Sequence, residues 1–199
     1  TVGEPDFDTP EHIKNGAREA LEKGLTKYTA AEGILPLREA IAAKLKRDQK
    51  VDFSPKEIIV TNGGKQAIAA ACAVLLNPGD EVVIPAPYWT SYPDMVRLFG
   101  GKPVIVQTDA KTGFIMSPKQ MLEACTSKTK MIILNSPSNP TGACYSNSDL
   151  RALADAFQTL KNKDEITILT DEVYEYITYG GFKQESIITI RLCPTGIIL

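Results

Sequence analysis

The amino-acid sequence predicts an α/β fold in which a mostly parallel β-sheet carries helices on both faces. Short, uninterrupted apolar runs rich in Val and Ile occupy residues 58–60, 82–84, 104–106, 131–134 and 166–169. Such runs are typical of strands that are buried on both sides. Segments with helical patterning lie between most of them, at residues 65–76, 91–99, 118–125 and 149–160. This alternation favours parallel pairing, because each helix returns the chain to the same end of the sheet.

The composition is that of an ordinary globular protein. Of the 199 residues, 43% are hydrophobic and 23% are charged, and the formal net charge is −2. This balance leaves no basic surplus to favour nucleic acid. No apolar run approaches the ~18 residues of a membrane span, and the N-terminal residues do not resemble a signal peptide. We therefore predict a cytoplasmic protein without a membrane or nucleic-acid partner, although a transit peptide could have been removed.

The cysteines and the single histidine argue against a metal site. Cys72, Cys125, Cys144 and Cys193 are far apart and form no CxxC pair, which excludes the common zinc spacings. His12, the only histidine, lies in a polar stretch. We interpret the cysteines as core or incidental thiols in a reducing compartment, with a disulfide framework as the alternative.

The sequence predicts an N-terminal arm and two leading helices in residues 1–50. It predicts the sheet domain in residues 51–199. Thr9 is expected to cap the first helix, with Pro10 at its first position and Gly24 at its end. Residues 25–36 lack a clear period and predict a loop, and the second helix is expected at residues 37–49.

Two later helices carry N-terminal capping signals. Ser117 precedes Pro118 and is a plausible N-cap. Ser146 and Asp149 have the spacing of a capping box. These signals support helices that begin just after residues 117 and 146.

The residues that follow the strands carry the chemistry, because open α/β sheets bind ligands beyond the carboxyl ends of their strands. Gly63 and Gly64 lie in TNGGKQ, where free N–H groups of a helix N-terminus can hold a phosphate. This is not a Walker A loop, since position 59 is not glycine and Gln66 replaces Ser or Thr; a plain glycine turn is the alternative. Trp89 can stack on a flat ring, or it is a core or interface anchor.

Two further strand ends add polar groups. Asn139 lies in NSPSNPTG, where Pro137 and Pro140 restrict the backbone and can hold the amide towards a ligand; an ordinary turn is the alternative. Asp171 directly follows an apolar strand, where a charge is costly unless it is paired, and Tyr174 lies three residues on; here the alternative is a helix cap. Together the strand ends offer an anion site, an aromatic stacking surface, an amide, a carboxylate and a phenol. This set suits a phosphorylated aromatic heterocycle with a basic ring nitrogen.

The order of motifs resembles the class I aminotransferases that depend on pyridoxal phosphate and have the aspartate-aminotransferase fold. The resemblance extends from Gly3 to about Ile177 and rests on GEPDFDTP, YTAAEGILPLREAI, TNGGKQ, PAPYWTSYP, NSPSNPTG and TDEVYEYI. It implies the large domain of that fold (fold type I), here truncated to its N-terminal part, and a homodimer in the full-length form. The reaction it implies moves an amino group between an amino acid and a 2-oxo acid.

The resemblance also implies roles for individual residues. The cofactor's phosphate would lie at Gly63, Gly64, Lys65 and Gln66, with Tyr28 reaching it across a dimer interface. Trp89 would stack on the ring, Asp171 would pair with the ring nitrogen, and Asn139 and Tyr174 would meet the ring oxygen O3′. Gly3, Lys65, Trp89 and Asn139 would contact substrate, and the Asn139–Pro140 peptide would be cis. The combination of GGKQ and PYW resembles bacterial-type aspartate aminotransferases, in which a lysine at the position of Lys65 recognises a dicarboxylate.

The sequence departs from that family after residue 177. The Schiff-base lysine is expected soon after TDEVY, yet Lys183, in a glycine-rich segment, is the only lysine after Asp171. Residues 187–199 match the family poorly, and residues 197–199 lie about where the strand leading to that lysine would run. We expect an N-terminal fragment or a truncated product that is inactive alone. The alternatives are a pyridoxal-phosphate lyase of the same fold, a non-catalytic cofactor-binding or regulatory remnant and, more remotely, a nucleotide-binding α/β domain.

Overall fold

The computed structural model describes residues 6–190 and 196–199, and within them it contains one five-stranded sheet. The strands are β1 (Glu81–Ala86), β2 (Lys102–Gln107), β3 (Thr129–Asn135), β4 (Thr167–Asp171) and β5 (Gly196–Ile198). Their spatial order is β2-β1-β3-β4-β5, and each of the four neighbouring pairs is parallel. The predicted parallel α/β sheet is thereby confirmed.

Six α-helices accompany the sheet in the described residues. They are α1 (Glu11–Glu22), α2 (Leu35–Gln49), α3 (Gly64–Leu75), α4 (Ser91–Leu98), α5 (Pro118–Ala124) and α6 (Asn147–Phe157). The two capping signals are confirmed: Ser117 Oγ accepts a hydrogen bond from the Gln120 N–H at 3.3 Å, and Ser146 and Asp149 form a reciprocal capping box.

Apolar side chains alternate between the two faces of the sheet, and each face has its own core. Val83 of β1, Ile132 of β3 and Ile168 of β4 pack in one cluster with buried residues of α5 and α6. Their neighbours Val82, Ile133 and Leu169 pack in a second cluster with buried residues of α3 and α4. Successive side chains of a β-strand point to opposite faces of the sheet. Because both faces are buried here, successive positions in these strands are apolar, which gives the continuous apolar runs in the sequence.

Residues 58–60 are the one predicted strand that the structure does not contain. Ile58 is buried, but no strand in the described ranges pairs with this segment, and the Val60 N–H donates instead to the Glu32 carbonyl at 3.0 Å. An apolar run marks a segment for burial, whereas a strand also needs a neighbouring backbone. The predicted strand was therefore wrong.

The leading helices also differ from the prediction. Pro10, and not Thr9, occupies the N-cap of α1, and no side chain caps that helix. Helix α2 begins at Leu35, two residues before the predicted start, with Pro36 in its first turn. Helix α1 has no buried residue, and Ile13 and Leu21 on its apolar face are exposed.

Strand β5 lies within residues 187–199, the segment that we expected to match the family poorly. Gly196–Ile198 pairs with β4, and the Leu199 N–H donates to the Thr170 carbonyl at 3.0 Å. The end of the sequence therefore runs where a strand was expected, beside the strand that ends at Asp171.

Candidate active site

Three neighbouring strands deliver polar or aromatic segments to one edge of the sheet. Strands β1, β3 and β4 are parallel, so their carboxyl ends, Ala86, Asn135 and Asp171, lie at the same edge. Asn135 and Asp171 are register partners. The segments that follow them, residues 87–89, 136–139 and 172–174, are therefore brought to this edge as predicted.

The N-terminus of α3 presents backbone donors. Gly63 is the N-cap with φ +80°, a conformation that favours glycine, and α3 begins at Gly64. Within residues 6–190 and 196–199 the N–H groups of Gly64 and Lys65 donate to no acceptor. The space around the turn is open, since a Cβ added at Gly63 or at Gly64 would meet nothing within 4 Å. Open donors at the positive end of a helix dipole suit an anion.

A line of contacts joins α3 to the ends of β1 and β4. Lys65 Nζ lies 5.0 Å from the centroid of the Trp89 ring, in cation–π geometry. Trp89 in turn packs edge-to-face on Tyr92, with ring centroids 5.4 Å apart. The Tyr92 hydroxyl donates to Asp171 Oδ2 at 2.7 Å. Side chains from three separate segments thus form one continuous path from the helix N-terminus to the carboxylate.

Asp171 is buried, with 8% of its surface exposed. Tyr92 supplies the partner that a buried carboxylate needs, and the Val173 N–H approaches Oδ1 at 3.3 Å. Burial, and next the neighbouring Asp171 carboxylate, raise the pKa of Tyr92 well above its usual range. Tyr92 is therefore a neutral hydrogen-bond donor, and Asp171 keeps acceptor capacity beyond it.

Asn139 and Tyr174 line one open groove, whose lining does not include Lys65, Trp89, Tyr92 or Asp171. The Asn139 N–H donates to Asn135 Oδ1 at 2.7 Å, which ties the loop to the end of β3. The Asn139–Pro140 peptide is cis, as the family resemblance implied, and the Ala86–Pro87 and Ser136–Pro137 peptides are cis as well. No hydrogen bond in the described part of the chain occupies the Asn139 side-chain amide or the Tyr174 hydroxyl.

The comparison with known proteins decides the family. The profile described as aminotransferase class I and II matches residues 1–197, so the expectation of a poor match from residue 187 was wrong for residues 187–197. The chain belongs to this aminotransferase family. The aspartate aminotransferase of Bacillus subtilis is 47% identical over 186 residues, which are 94% of this chain and 46% of that protein. The probable aspartate/prephenate aminotransferase of Rickettsia bellii is 50% identical over 182 residues, 92% of this chain and 45% of that protein.

The fold likeness is equally direct. The crystal structure of the aspartate aminotransferase from Rhizobium meliloti matches with a TM-score of 0.92 at 43% identity, over 96% of this chain and 47% of that one. The likeness confirms the predicted fold type. This aminotransferase chain spans about half the length of the relatives it matches.

Three of the predicted site residues do not join the path or the groove. Gly3 lies outside the described residues. Tyr28 is fully exposed at 106% and packs on nothing near the strand ends. The Gln66 side-chain carbonyl accepts from the Asn62 N–H at 2.5 Å and so holds the glycine turn. Lys183 is exposed, in line with its interpretation as a loop residue.

Two residues of the candidate site were missed by sequence reasoning. Tyr92 supports Asp171, and Asn135 bonds both the Asp171 carbonyl, at 2.9 Å, and the Asn139 N–H. A signal for Tyr92 existed, because a charge placed directly after an apolar strand requires a buried donor. Asn135 was visible as the polar residue that ends β3.

Glu172 connects this edge of the aminotransferase sheet to α2. It is buried and accepts hydrogen bonds from the Thr170 hydroxyl at 2.8 Å and from Gln49 Nε2 at 2.7 Å. Burial raises the pKa of Glu172. The C-terminal end of α2 is thereby fixed against the segment that carries Asp171 and Tyr174.

Three of the four cysteines lie in the described residues, which hold no metal cluster, and Cys193 lies outside them. Cys72, Cys125 and Cys144 are free, and Cys72 is fully buried in the core. Burial raises the pKa of the Cys72 and Cys125 thiols to about 11. Across residues 6–190 and 196–199, no three His, Cys, Asp or Glu side chains group to hold a metal ion, and no helix has the length and apolarity to cross a membrane.

Proposed function

We propose that this chain provides the pyridoxal-phosphate-binding half of an aminotransferase that moves an amino group between an amino acid and a 2-oxo acid. The observation that carries the proposal is the buried, hydrogen-bonded Asp171 at the end of β4, linked through Tyr92 and Trp89 to the open N-terminus of α3. Membership in the aminotransferase family supports the same reaction class.

The donor set of the site fits pyridoxal phosphate. The unpartnered N–H groups of Gly64 and Lys65 suit its phosphate. The buried Asp171 suits a protonated ring nitrogen, and the unoccupied Asn139 amide and Tyr174 hydroxyl suit a ring oxygen. The site thus offers N–H donors for a phosphate, a carboxylate for a protonated nitrogen, and an amide and a hydroxyl for a ring oxygen. Pyridoxal phosphate carries each of these three groups.

Each residue has a definite task in this proposal. When bound, pyridoxal phosphate supplies an electron-accepting ring that stabilises negative charge at the amino acid's Cα. Asp171 holds a proton at the ring nitrogen, which strengthens that electron withdrawal, and Tyr92 fixes the carboxylate. Trp89 would pack against the ring, and Asn139 and Tyr174 would hydrogen-bond the ring oxygen and favour its anion.

The Schiff-base lysine is not supplied by the described residues of this chain, because the only lysine after Asp171 is the exposed Lys183. We expect the purified 199-residue chain to show no turnover of aspartate with 2-oxoglutarate. A coupled assay for the 2-oxo acid product measures this. Turnover above a heat-treated control would contradict the assignment of Lys183 to a loop.

Lys65 supports a dicarboxylic substrate. Its ammonium group is exposed and lies over Trp89, where it can meet the second carboxylate of aspartate or glutamate. The relatives from Rickettsia bellii and Bacillus subtilis are named for aspartate, and the former also for prephenate. Both compounds carry two carboxylates, which fits a cation at this position.

A chimera tests the function and the substrate class together. Residues 1–190 of this chain replace the matching half of the Bacillus subtilis enzyme, and turnover of aspartate with 2-oxoglutarate is expected. In this chimera Lys65→Ala should lower kcat/KM for aspartate by about 10- to 100-fold, the loss of one charged hydrogen bond. It should leave kcat/KM for an aromatic amino acid within about twofold.

The control for the chimera is Lys111→Ala, which removes an exposed lysine elsewhere. Equal losses for aspartate and the aromatic amino acid would contradict the role of Lys65. Release of a 2-oxo acid or of ammonia without any amino acceptor would favour a lyase of the same fold over an aminotransferase.

The assembly and the cellular location are part of the proposal. A fully exposed Tyr28 supports a role in a second subunit's site, and hence a homodimer of the full-length protein. The free thiols support a reducing, cytoplasmic location. Both follow the family resemblance.

A further inference from the structure

Asn135 lies where two parts of the candidate site meet. Its Nδ2 donates to the Asp171 carbonyl oxygen at 2.9 Å, and its Oδ1 accepts from the Asn139 N–H at 2.7 Å. One half-buried amide therefore touches the strand end that carries the carboxylate and the loop that carries the second amide. Both of its polar atoms are used.

The loop around Asn139 is closed mainly on itself. The Ser138 N–H donates to the Ala143 carbonyl at 2.9 Å, and the Gly142 N–H donates to the Ser138 carbonyl at 2.8 Å. Its backbone reaches β4 through the Ser136 N–H, which donates to the Asp171 carbonyl at 3.2 Å. Asn135 is the side chain, among those the structure describes, that hydrogen-bonds both Asp171 and Asn139.

We propose that Asn135 is a positioning residue that fixes the distance between the Asp171 carboxylate and the Asn139 amide, so that both engage one ligand. The inference rests on the proposed function and extends it to a residue that need not touch the ligand. An amide suits the role because it offers a donor to a carbonyl and an acceptor to an N–H at the same time. An aspartate at this position would still accept from the Asn139 N–H, but its second oxygen would face the Asp171 carbonyl oxygen and repel it.

The test measures binding of pyridoxamine 5′-phosphate to the full chain. This amine form of the cofactor has no aldehyde, so it cannot react with exposed lysines. Trp89 is the only tryptophan, and its fluorescence reports ligand at the site without a label. We expect Asn135→Asp to raise Kd about tenfold at a pH of about 8, because one partly buried hydrogen bond is lost. Asn135→Ala should have at least that effect.

A pH series separates positioning from a general loss of structure. Protonation of the new carboxyl group in Asn135→Asp restores an O–H donor towards the Asp171 carbonyl while the acceptor for Asn139 remains. The titratable groups nearby are Asp171 on β4 and Tyr88, Tyr92 and Tyr145, which line the small cavity that Asn135 also lines. The Asp171 charge and partial burial both raise the pKa of a new carboxyl there. The restored state is therefore populated at a mildly acid pH.

The ratio of variant to wild-type Kd should accordingly fall from about tenfold at pH ~8 to within about twofold at pH ~5.5 for Asn135→Asp. The same ratio should stay constant for Asn135→Ala. Thr141→Val is the matched control: the Thr141 hydroxyl accepts a hydrogen bond from the Ala143 N–H at 3.2 Å within the same loop, and among the described residues it forms none with Asn135 or Asp171. It should bind as the wild type does, and circular dichroism confirms that each variant is folded.

The outcomes divide cleanly. If the wild type binds and both Asn135 variants bind equally well at every pH, the positioning role is overturned and the proposed function stands. If Asn135→Asp is weak at every pH while folded, the role of the restored donor is overturned. If the wild type itself does not bind pyridoxamine 5′-phosphate, it is the proposed function that fails.

Discussion

Asp171→Asn is expected to weaken binding of pyridoxamine 5′-phosphate by about 10- to 100-fold, because the variant loses the buried negative charge that we propose pairs with the ring nitrogen. The substitution is nearly isosteric, and the new amide oxygen can still accept from the Tyr92 hydroxyl, so the local fold is preserved. Quenching of Trp89 fluorescence measures the Kd.

The matched control for this prediction is a change in the ligand. An analogue of pyridoxamine phosphate in which carbon replaces the ring nitrogen has nothing to pair with the carboxylate. The wild type should bind it far more weakly than the natural compound, whereas Asp171→Asn should bind the two within about threefold of each other. A variant that still discriminates between them as the wild type does would show that Asp171 does not meet the ring nitrogen.

Phe157→Ala is expected to lower the free energy of unfolding by about 3–5 kcal/mol, the usual cost of truncating a buried aromatic side chain. Phe157 is the last residue of α6, is 1% exposed and packs in the core cluster that contains Ile132 and Ile168 of the sheet. Urea unfolding followed by circular dichroism measures the change, which is large beside the ~5–15 kcal/mol of a typical domain.

Phe7→Ala provides the control for that measurement, since Phe7 is 85% exposed. It should change the free energy of unfolding by no more than about 0.5 kcal/mol. A cost below about 1 kcal/mol for Phe157→Ala would contradict the packing of α6 on this face of the sheet.

The sheet could be predicted from the sequence because its strands are defined locally. Residues 131–134 are apolar without a break, and β3 occupies Thr129–Asn135. Residues 58–60 look the same in sequence but lack a partner strand within the described residues. Pairing depends on which backbone lies alongside, and a local pattern cannot report that.

The same division applies to the candidate site. Trp89, Asn139 and Asp171 stood out because each follows a strand, and the parallel sheet brings those ends to one edge. Tyr92 and Asn135 did not stand out, because their roles arise from hydrogen bonds to Asp171 across 79 and 36 residues of sequence. Only the folded arrangement brings those partners within bonding distance.

The most direct test of the account is a titration of the wild-type chain with pyridoxal phosphate and with pyridoxamine 5′-phosphate, read out on the fluorescence of Trp89. The path from the α3 N-terminus through Trp89 and Tyr92 to Asp171 supports the proposal that these groups and Asn139 bind one ring. The proposal predicts saturable quenching by both compounds. It predicts none by ATP, and weaker binding by pyridoxamine without its phosphate. Quenching by nucleotides alone, or none by either vitamin B6 phosphate, would contradict it.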